Sequence, residues 1–170
     1  MKHPTHWQHC RTETPMGPMR LARSGSGLCG AWFEQDQKHA PGAECFAQAH
    51  HRPQDPLLQQ ACQQLQAYFR GDLEAFDLPL DLSAGTAFQQ AVWRALLTIP
   101  SARTCSYLAL ATHLGKPSAT RAVGAAVGRN PLSIIVPCHR VLGSTGQLTG
   151  YSGGLERKRA LLQLEGHSMF

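Results

Sequence analysis

The sequence predicts a mixed α/β (α+β) protein, with a small N-terminal sheet-plus-helix domain followed by a mostly helical C-terminal domain. Three patterns indicate this fold class: short extended stretches over residues 8–33, a strong amphipathic helix at 56–70, and three shorter helical patterns between 86 and 127. Residues 72–85 contain Leu-Pro-Leu and Ser-Ala-Gly sequences that are typical of a linker. We therefore expect domains over 1–82 and 83–170.

Turn and cap signals define the elements of the N-terminal half. The sequences at 14–18 and 24–27 are typical of turns, so the extended pieces around them predict an antiparallel sheet with hairpin connections. The polar stretch 35–54 predicts a loop or a weak helix. Asp55 is a favourable N-cap for the long helix, a proline follows it in the first turn, and Gly71 is a favourable end.

The C-terminal half begins with a capping-box pattern, because Gln89 follows Thr86 at the required spacing. This pattern predicts a helix that ends before Pro100, where the proline ring cannot continue the helical hydrogen bonding. Trp93 lies off the apolar stripe of this helix, which favours a surface or inter-domain position for the indole.

Two short helices around a glycine-containing turn follow, and they have the shape of a helix-turn-helix. Ser106 is the expected cap of the first, which ends at Gly115, and Ser118 is the expected cap of the second, over 119–127. The second helix has almost only small side chains, with Arg121 as its one long residue. Such a helix either packs tightly in a core or lies in a nucleic-acid groove, and the sequence leaves both alternatives open.

Charge is distributed unevenly along the 170 residues. Residues 1–100 carry eight Lys and Arg against nine acids, a net charge of −1, whereas residues 101–170 carry eight against two, a net charge of +6. A local excess of this kind favours a polyanionic partner through counterion release. The basic segment therefore favours the groove alternative for the second helix.

Composition and cysteine usage limit the possible locations of the protein. Apolar residues make up 42 % of the chain, yet no apolar run approaches the length of a membrane span, so we expect no membrane partner. The segment from Met1 to Cys10 has no apolar block and is not typical of a signal peptide. Six cysteines without a Cys-x-x-Cys pair are typical of reduced thiols, and we therefore expect a cytoplasmic protein.

The central chemical feature is a β-branched run, 134–136, followed by Pro137, Cys138, His139 and Arg140. The run predicts a short buried strand that ends at the proline. A thiolate is a strong nucleophile, and a nearby imidazole can remove its proton. The alternative is a buried structural cysteine followed by a loop histidine.

Residues from about 86 to 166 closely resemble the catalytic domain of the O6-alkylguanine-DNA alkyltransferases, which repair DNA stoichiometrically. The matching sequences are Phe88-Gln89 with Val92-Trp93, Ser106-Tyr107, Arg121-Ala122-Val123-Gly124, Asn130-Pro131, Pro137-Cys138-His139-Arg140-Val141, Gly150-Tyr151-Ser152-Gly153-Gly154, and Leu161-Leu162 with Glu165-Gly166. The first 80 residues match only through 14–17 and the helix at 56–70. The resemblance implies irreversible transfer of an alkyl group from guanine O6, and by extension from thymine O4, to the protein's own cysteine.

The resemblance also implies a role for individual residues. Cys138 matches the nucleophile, His139 and Glu165 match its activating pair acting through a water, and Asn130 matches the residue that braces the cysteine loop. Tyr107 matches the donor to guanine N3 that stabilises the leaving anion. The implied substrate pocket consists of Val141, Tyr151, Ser152 and Gly153. The implied DNA-binding residues are Ser106, Thr120, Arg121, Ala122, Gly124, Arg129 and Arg140.

The expected partner is double-stranded DNA containing O6-alkylguanine, entered at the minor groove by the second helix, with Arg121 filling the space of an everted base. The protein is expected to act as a monomer that can cluster on DNA. No cofactor is expected, because attack on a saturated carbon leaves a thioether that water cannot hydrolyse. No metal is expected either, although Cys10, Cys29, His9 and His39 are candidate ligands, because they do not fall at the family's spacing.

Three alternatives compete with this interpretation. An alkyltransferase-like binding protein would carry another residue in place of Cys138. A Cys-His hydrolase or protease would need an oxyanion hole and would not explain the basic segment or the helix-turn-helix. A transcription regulator of the adaptive-response type would need a further zinc domain, for which the chain has no room.

Overall fold

The computed structural model describes residues 6–170. Residues 1–5, which belong to the segment predicted not to be a signal peptide, lie outside the described residues. Within the described part, no helix is both long and apolar enough to cross a membrane.

The N-terminal half is built on a four-stranded sheet with the order β3-β2-β1-β4. Strands β1 (Gln8–Thr12), β2 (Met19–Arg23) and β3 (Leu28–Phe33) pair antiparallel, as the turn signals predict. The segment 35–54 contains a short helix, α1 (Ala43–Gln48), and a two-residue strand, β4 (His50–His51), that pairs parallel to β1. The weak helix is confirmed, and the sequence prediction did not include β4.

The long helix α2 (Pro56–Phe69) covers one face of this sheet. The Asp55 carboxylate accepts hydrogen bonds from the Leu57 and Leu58 amides at 3.0 Å, and Gly71 follows the helix at φ +79°. Both end signals are therefore confirmed. The buried side chains of α2, among them Leu58 and Leu65, join the main core.

Two segments from elsewhere in the chain complete the outer edge of β3. The Leu28 amide donates to the Pro79 carbonyl at 2.8 Å, and the Ala31 amide donates to the Pro131 carbonyl at 2.9 Å. The Ser133 amide returns a bond to the Ala31 carbonyl at 2.9 Å. Residues 72–85 contain no helix or strand, as predicted for a linker, but part of the segment covers the sheet edge.

The C-terminal half contains α3 (Ala87–Leu96), α4 (Tyr107–His113), α5 (Thr120–Gly128) and α6 (Leu155–Leu164). The capping box at Thr86 and the Ser106 cap are both present. The predicted Ser118 cap is wrong, because Pro117–Ala119 form a separate 3₁₀ turn and α5 starts at Thr120 without a side-chain cap. Proline in the first position favours this early, tighter turn.

The position of Trp93 differs from the surface or inter-domain position that the sequence predicts. Its side chain is fully buried, and Nε1 donates to the Ala126 carbonyl of α5 at 2.9 Å. The ring also lies against Gly85, where a Cβ would come within 2.3 Å of it. The surface alternative is therefore wrong: α3 is covered on two sides, and a single apolar stripe cannot reveal the second contact.

The run 134–136 is buried as predicted, but it does not form a strand. Ile134 has φ +74°, and the Val136 amide donates to the Leu132 carbonyl at 2.9 Å, so the chain turns here. Cys138–Arg140 then form a short 3₁₀ turn that leads into β6 (Val141–Leu142), which pairs parallel with β5 (Cys105–Ser106). Buried positions favour β-branched residues in a turn of this kind as well as in a strand. The composition of the run therefore could not distinguish a buried turn from a buried strand.

We expect Trp93→Phe to lower the free energy of unfolding by about 2 kcal/mol, because the substitution removes a buried hydrogen bond and leaves a small cavity. Urea unfolding measures this loss. As a control, Leu97→Ala removes a 43 % exposed side chain next to the same helix and should change the unfolding free energy by less than about 0.5 kcal/mol. Equal losses in the two variants would contradict the buried position of the indole.

Candidate active site

Cys138 begins the 3₁₀ turn and is 3 % exposed. Burial raises the pKa of its thiol, while a hydrogen bond from Asn130, the positive charge of Lys158 and the backbone amides of Cys138 and His139 act in the opposite direction. The sulfur therefore lies at the edge of the hydrophobic core, with polar groups beside it. This arrangement stabilises a thiolate once the proton has been removed.

Asn130 connects the nucleophile to the turn that precedes it. Its Nδ2 donates to the Cys138 sulfur at 3.1 Å and to the Val136 carbonyl at 2.8 Å, while its Oδ1 accepts from the Leu132 amide at 2.9 Å. The side chain thus supplies hydrogen bonds that a sheet would otherwise supply to this segment. Its position agrees with the bracing role that the sequence resemblance implies.

His139 is fully buried and forms a 2.8 Å hydrogen bond through Nε2 with Oε1 of Glu165. Burial alone would raise the pKa of Glu165, but hydrogen bonds from His139 and Arg140 lower it to about 2, so the carboxylate is ionised at neutral pH. Nε2 must then carry the proton, because a carboxylate only accepts. Nδ1 is left with a lone pair and makes no hydrogen bond within residues 6–170.

Burial also lowers the pKa of His139, which keeps the imidazole neutral and able to accept a proton. Cys138 and His139 are neighbours in a 3₁₀ turn rather than in the strand that the sequence predicts before them. No direct hydrogen bond joins the two side chains in the described structure. A bridging water is therefore a suitable relay between the thiol and Nδ1.

From the sequence, Arg140 is expected to contact DNA, but the structure places it inside the protein. Its Nε and Nη2 donate to the two oxygens of Glu165 at 2.9 and 2.8 Å, Nη1 donates to the Ile99 carbonyl, and the residue is 6 % exposed. A buried carboxylate requires a paired cation, and Arg140 has that role here. It cannot reach DNA without leaving Glu165 unpaired.

Sequence reasoning missed two residues of the site. Tyr68, on α2, donates its hydroxyl to Oε1 of Glu165 at 2.8 Å, and no sequence pattern connects residues 97 positions apart. Lys158 is fully buried beside Cys138, and burial lowers its pKa to about 8. The burial of Lys158 could have been predicted from helical spacing. Lys158 lies three and four residues before Leu161 and Leu162, which places it on the buried face of α6.

The residues predicted to form the substrate pocket lie around the loop 143–154. Lys158 Nζ donates to the carbonyls of Val141, Thr149 and Gly150, the last two at 2.8 and 3.2 Å. Tyr107 donates its hydroxyl to the Thr149 carbonyl at 3.4 Å. The buried cation therefore holds the loop, and its positive charge also acts on the Cys138 thiol.

The rest of the loop is anchored to the N-terminal half. The Ser152 carbonyl accepts from the Lys38 amide at 2.8 Å. The Tyr151 hydroxyl is buried, and a Cβ on Gly153 would come within 2.7 Å of the Tyr151 ring and 3.3 Å of Phe33. Only glycine allows this close approach of the loop.

Arg157 strengthens the same connection. Its guanidinium donates to the carbonyls of Met16, Gln35 and Gly153 at 3.1, 2.9 and 2.9 Å, and it lies 4.3 Å from the centre of the Phe33 ring. The loop 143–154, called the pocket loop below, is thus held by contacts from both halves of the chain.

The helix α5 presents an exposed face of small residues. Arg121, Ala122 and Ala125 are exposed, whereas Val123 and Ala126 are buried against the other helices. Arg121 makes no hydrogen bond or ion pair with any residue in 6–170. The alternative of a helix enclosed in the core is therefore wrong, and the geometry favours a helix that can enter a groove.

The other residues predicted to contact DNA lie near this face in different environments. The Ser106 hydroxyl accepts from the Ala109 amide, and Thr120 donates to the Pro117 carbonyl at 3.1 Å. Gly124 lies against the Tyr107 ring, and Arg129 is exposed.

Only part of the basic excess reaches the surface. Arg140, Arg157 and Lys158 are held by contacts inside the protein. The exposed basic residues of the last 70 are Arg103, Lys116, Arg121, Arg129 and Arg159. Among residues 6–170, no three His, Cys, Asp or Glu side chains come together as metal ligands would.

The chain is similar to proteins of one known family over both of its halves. Residues 87–167 match the family model described as 6-O-methylguanine DNA methyltransferase, DNA binding domain, and residues 11–82 match the model of the ribonuclease-like domain of the same family. The chain is 51 % identical over 158 residues to a methylated-DNA–protein-cysteine methyltransferase of Mycobacterium tuberculosis, with 92 % of each chain covered. The Mycobacterium leprae protein of the same name is 49 % identical, with 95 % of this chain and 94 % of that protein covered.

The fold is also similar to solved structures. A crystal structure of Mycobacterium tuberculosis OGT in complex with DNA superimposes with a TM-score of 0.80 at 47 % identity, covering 94 % of this chain and 92 % of that one. A structure of an O6-methylguanine DNA methyltransferase from Methanococcus jannaschii, at 25 % identity and 95 % coverage of both chains, gives a TM-score of 0.62.

We expect Glu165→Gln to lower the free energy of unfolding at pH 7 by roughly 3 kcal/mol, and the difference from the unsubstituted protein to shrink in acid. The folded pKa of Glu165, about 2, lies below the value in an unfolded chain. The stabilisation is therefore complete above about pH 4.3 and is lost as the pH falls through the folded pKa.

Urea unfolding over a pH series measures this dependence. Glu156→Gln, which changes an exposed acid in the first turn of α6, is the matched control and should show no such pH-dependent loss. A difference for Glu165→Gln that stays constant down to acid pH would contradict the buried ionised carboxylate.

Proposed function

The chain belongs to the 6-O-methylguanine DNA methyltransferase family, and on that basis we propose that Cys138 is the residue that accepts the alkyl group. The protein repairs DNA by alkyl transfer to a cysteine, as a methylated-DNA–protein-cysteine methyltransferase, and its partner is DNA. The observation that carries the residue assignment is the arrangement around Cys138: Asn130 on the sulfur, and beside it a neutral His139 held by Glu165.

The proposed reaction starts with loss of the thiol proton to Nδ1 of His139 through a water. Glu165 fixes the tautomer in which this nitrogen is free to accept. The sulfur then attacks the alkyl carbon on guanine O6, the carbon–oxygen bond breaks, and its electron pair stays on the guanine. Asn130 and the charge of Lys158 stabilise the thiolate before attack.

Charge that develops on the guanine needs donors at two positions. We assign the Tyr107 hydroxyl to N3 and the Ser152 amide to O6, since the Tyr107 hydroxyl bonds Thr149 in the loop 143–154 and Ser152 belongs to the same loop. The product is a thioether that has no centre open to hydrolysis, so each protein molecule acts once. No cofactor takes part in any of these steps.

Substrate access requires movement of both the DNA and the protein. O6-alkylguanine in a duplex must leave the base stack, and the exposed small face of α5 with Arg121 is suited to enter the minor groove and fill the space. Because Cys138 is only 3 % exposed, the loop 143–154 must open for the purine to reach it. The same chemistry extends to O4-alkylthymine.

The organisation of the chain fits this function. We propose that 1–82 form a supporting domain and 83–170 the catalytic and DNA-binding domain. One copy provides every reacting group, so a monomer is sufficient, with clustering on DNA as an addition. All six cysteines are free thiols, which supports action in the cytoplasm.

Exposure to a duplex oligonucleotide containing O6-methylguanine tests the assignment. We expect the peptide that contains Cys138 to gain one methyl group, with one methyl transferred per protein molecule, as read by mass spectrometry and by a radiolabelled methyl. Cys138→Ala should lose all transfer and keep duplex binding. Sustained multiple turnover, or a methyl group on Cys105, which is only partly buried, would contradict the proposal.

Arg121→Ala should slow methyl transfer from duplex DNA by about tenfold or more, because the cost of unstacking the base, a few kcal/mol, loses its compensating side chain. Transfer from a single-stranded oligonucleotide, where little unstacking is required, should change much less. Arg159→Ala removes another exposed arginine, on α6, and serves as the charge-matched control. Equal slowing on both substrates would mean that Arg121 contributes charge only.

A further inference from the structure

A hydrogen bond connects the N-terminal half to the catalytic carboxylate. Tyr68 lies on α2, which packs on the N-terminal sheet, and its hydroxyl donates to Oε1 of Glu165 at 2.8 Å. Tyr68 is 3 % exposed and the Glu165 side chain 2 % exposed, so water does not compete for this bond. A buried bond to an ionised acceptor is stronger than a neutral one.

The carboxylate has few acceptor sites left for other partners. Oε1 accepts from Tyr68, from Nε2 of His139 and from Nη2 of Arg140, while Oε2 accepts from Nε of Arg140. A carboxylate offers about four lone-pair positions in total. The Tyr68 hydroxyl therefore shares one oxygen with His139 and takes part of its electron density.

The position of the hydroxyl is fixed by its ring. The ring centre of Tyr68 lies 5.5 Å from those of Phe69 and Phe76, and burial raises the pKa of the phenol, so it remains a donor at physiological pH. Aromatic contacts on two sides allow little rotation of the side chain. The direction of the O–H bond at Glu165 is thus set by the N-terminal half.

We propose that Tyr68 is a positioning residue for alkyl transfer, which acts through Glu165 to orient His139 and to limit its basicity. This inference rests on the proposed function in one respect, namely that His139 is the base. It gives the N-terminal domain a direct part in the chemistry, beyond support of the pocket loop.

The proposal predicts how His139 responds when the hydroxyl is removed. Glu165 then carries more uncompensated negative charge, which favours the imidazolium, so the pKa of His139 rises. The titratable and charged groups around this network are Glu165, Arg140, Lys158, Cys138, Tyr107 and Tyr151. The substitution leaves all of these residues in place and removes only the hydroxyl bonded to Glu165, so the shift reports the loss of that bond.

Tyr68→Phe keeps the ring and removes only the hydroxyl. We expect single-turnover methyl transfer at saturating duplex to slow by about tenfold below neutral pH, with the acidic limb of the rate–pH profile moved to higher pH. The Kd for the duplex should not change, because Tyr68 is buried away from solvent. An unchanged rate and pH profile would overturn the proposal.

Leu65→Val is the matched control, since it removes one buried methylene from the same face of the same helix and leaves every hydrogen-bonding group in place. It should lower the thermal midpoint, as Tyr68→Phe does, and leave the pH profile in place. The same profile shift in Leu65→Val would show that Tyr68 acts only through stability.

A titration of the His139 imidazole by NMR separates this inference from the proposed function. A higher His139 pKa in Tyr68→Phe than in the unsubstituted protein supports the inference whatever the reaction, and an equal pKa overturns it. Absence of methyl transfer by the unsubstituted protein would instead overturn the proposed function alone.

Discussion

The structure depends on one buried negative charge, the carboxylate of Glu165. A charge in the interior is tolerated only when it is paired and hydrogen-bonded, and Arg140, His139 and Tyr68 satisfy it together. Because His139 and Arg140 directly follow Cys138, their attachment to the end of α6 also fixes the turn that carries the sulfur. The nucleophile is therefore positioned by electrostatics acting on its neighbours, while its own sulfur is held only by the hydrogen bond from Asn130.

The reactive thiol is held between opposing influences. Burial keeps the thiol protonated, whereas Asn130 and Lys158 favour the thiolate. Lys158 also binds three carbonyls at and near the pocket loop, so one buried cation contributes both to loop structure and to reactivity. At 3 % exposure, the sulfur is also shielded from solutes.

Sequence reasoning identified the fold class, the three antiparallel strands and the helices α2 to α5, because caps and turns are local signals. It was wrong for the strand at 134–136 and for Trp93, where tertiary contacts decide the outcome. It also assigned Arg140 to DNA, since a guanidinium that pairs internally looks the same in sequence as one that is exposed. Tyr68 could not be found, because its partner is distant in the chain.

The edge of β3 has a consequence for the independence of the two halves. Its backbone groups are bonded to segments near 79–81 and 131–133, the second of which lies only a few residues before the nucleophile. A fragment that ended before residue 131 would expose an unpaired edge, and exposed edges associate with other chains. Correct pairing of this edge therefore needs residues from both halves, and a hybrid of two relatives joined at the linker would keep it only when the segments that pair along β3 are compatible.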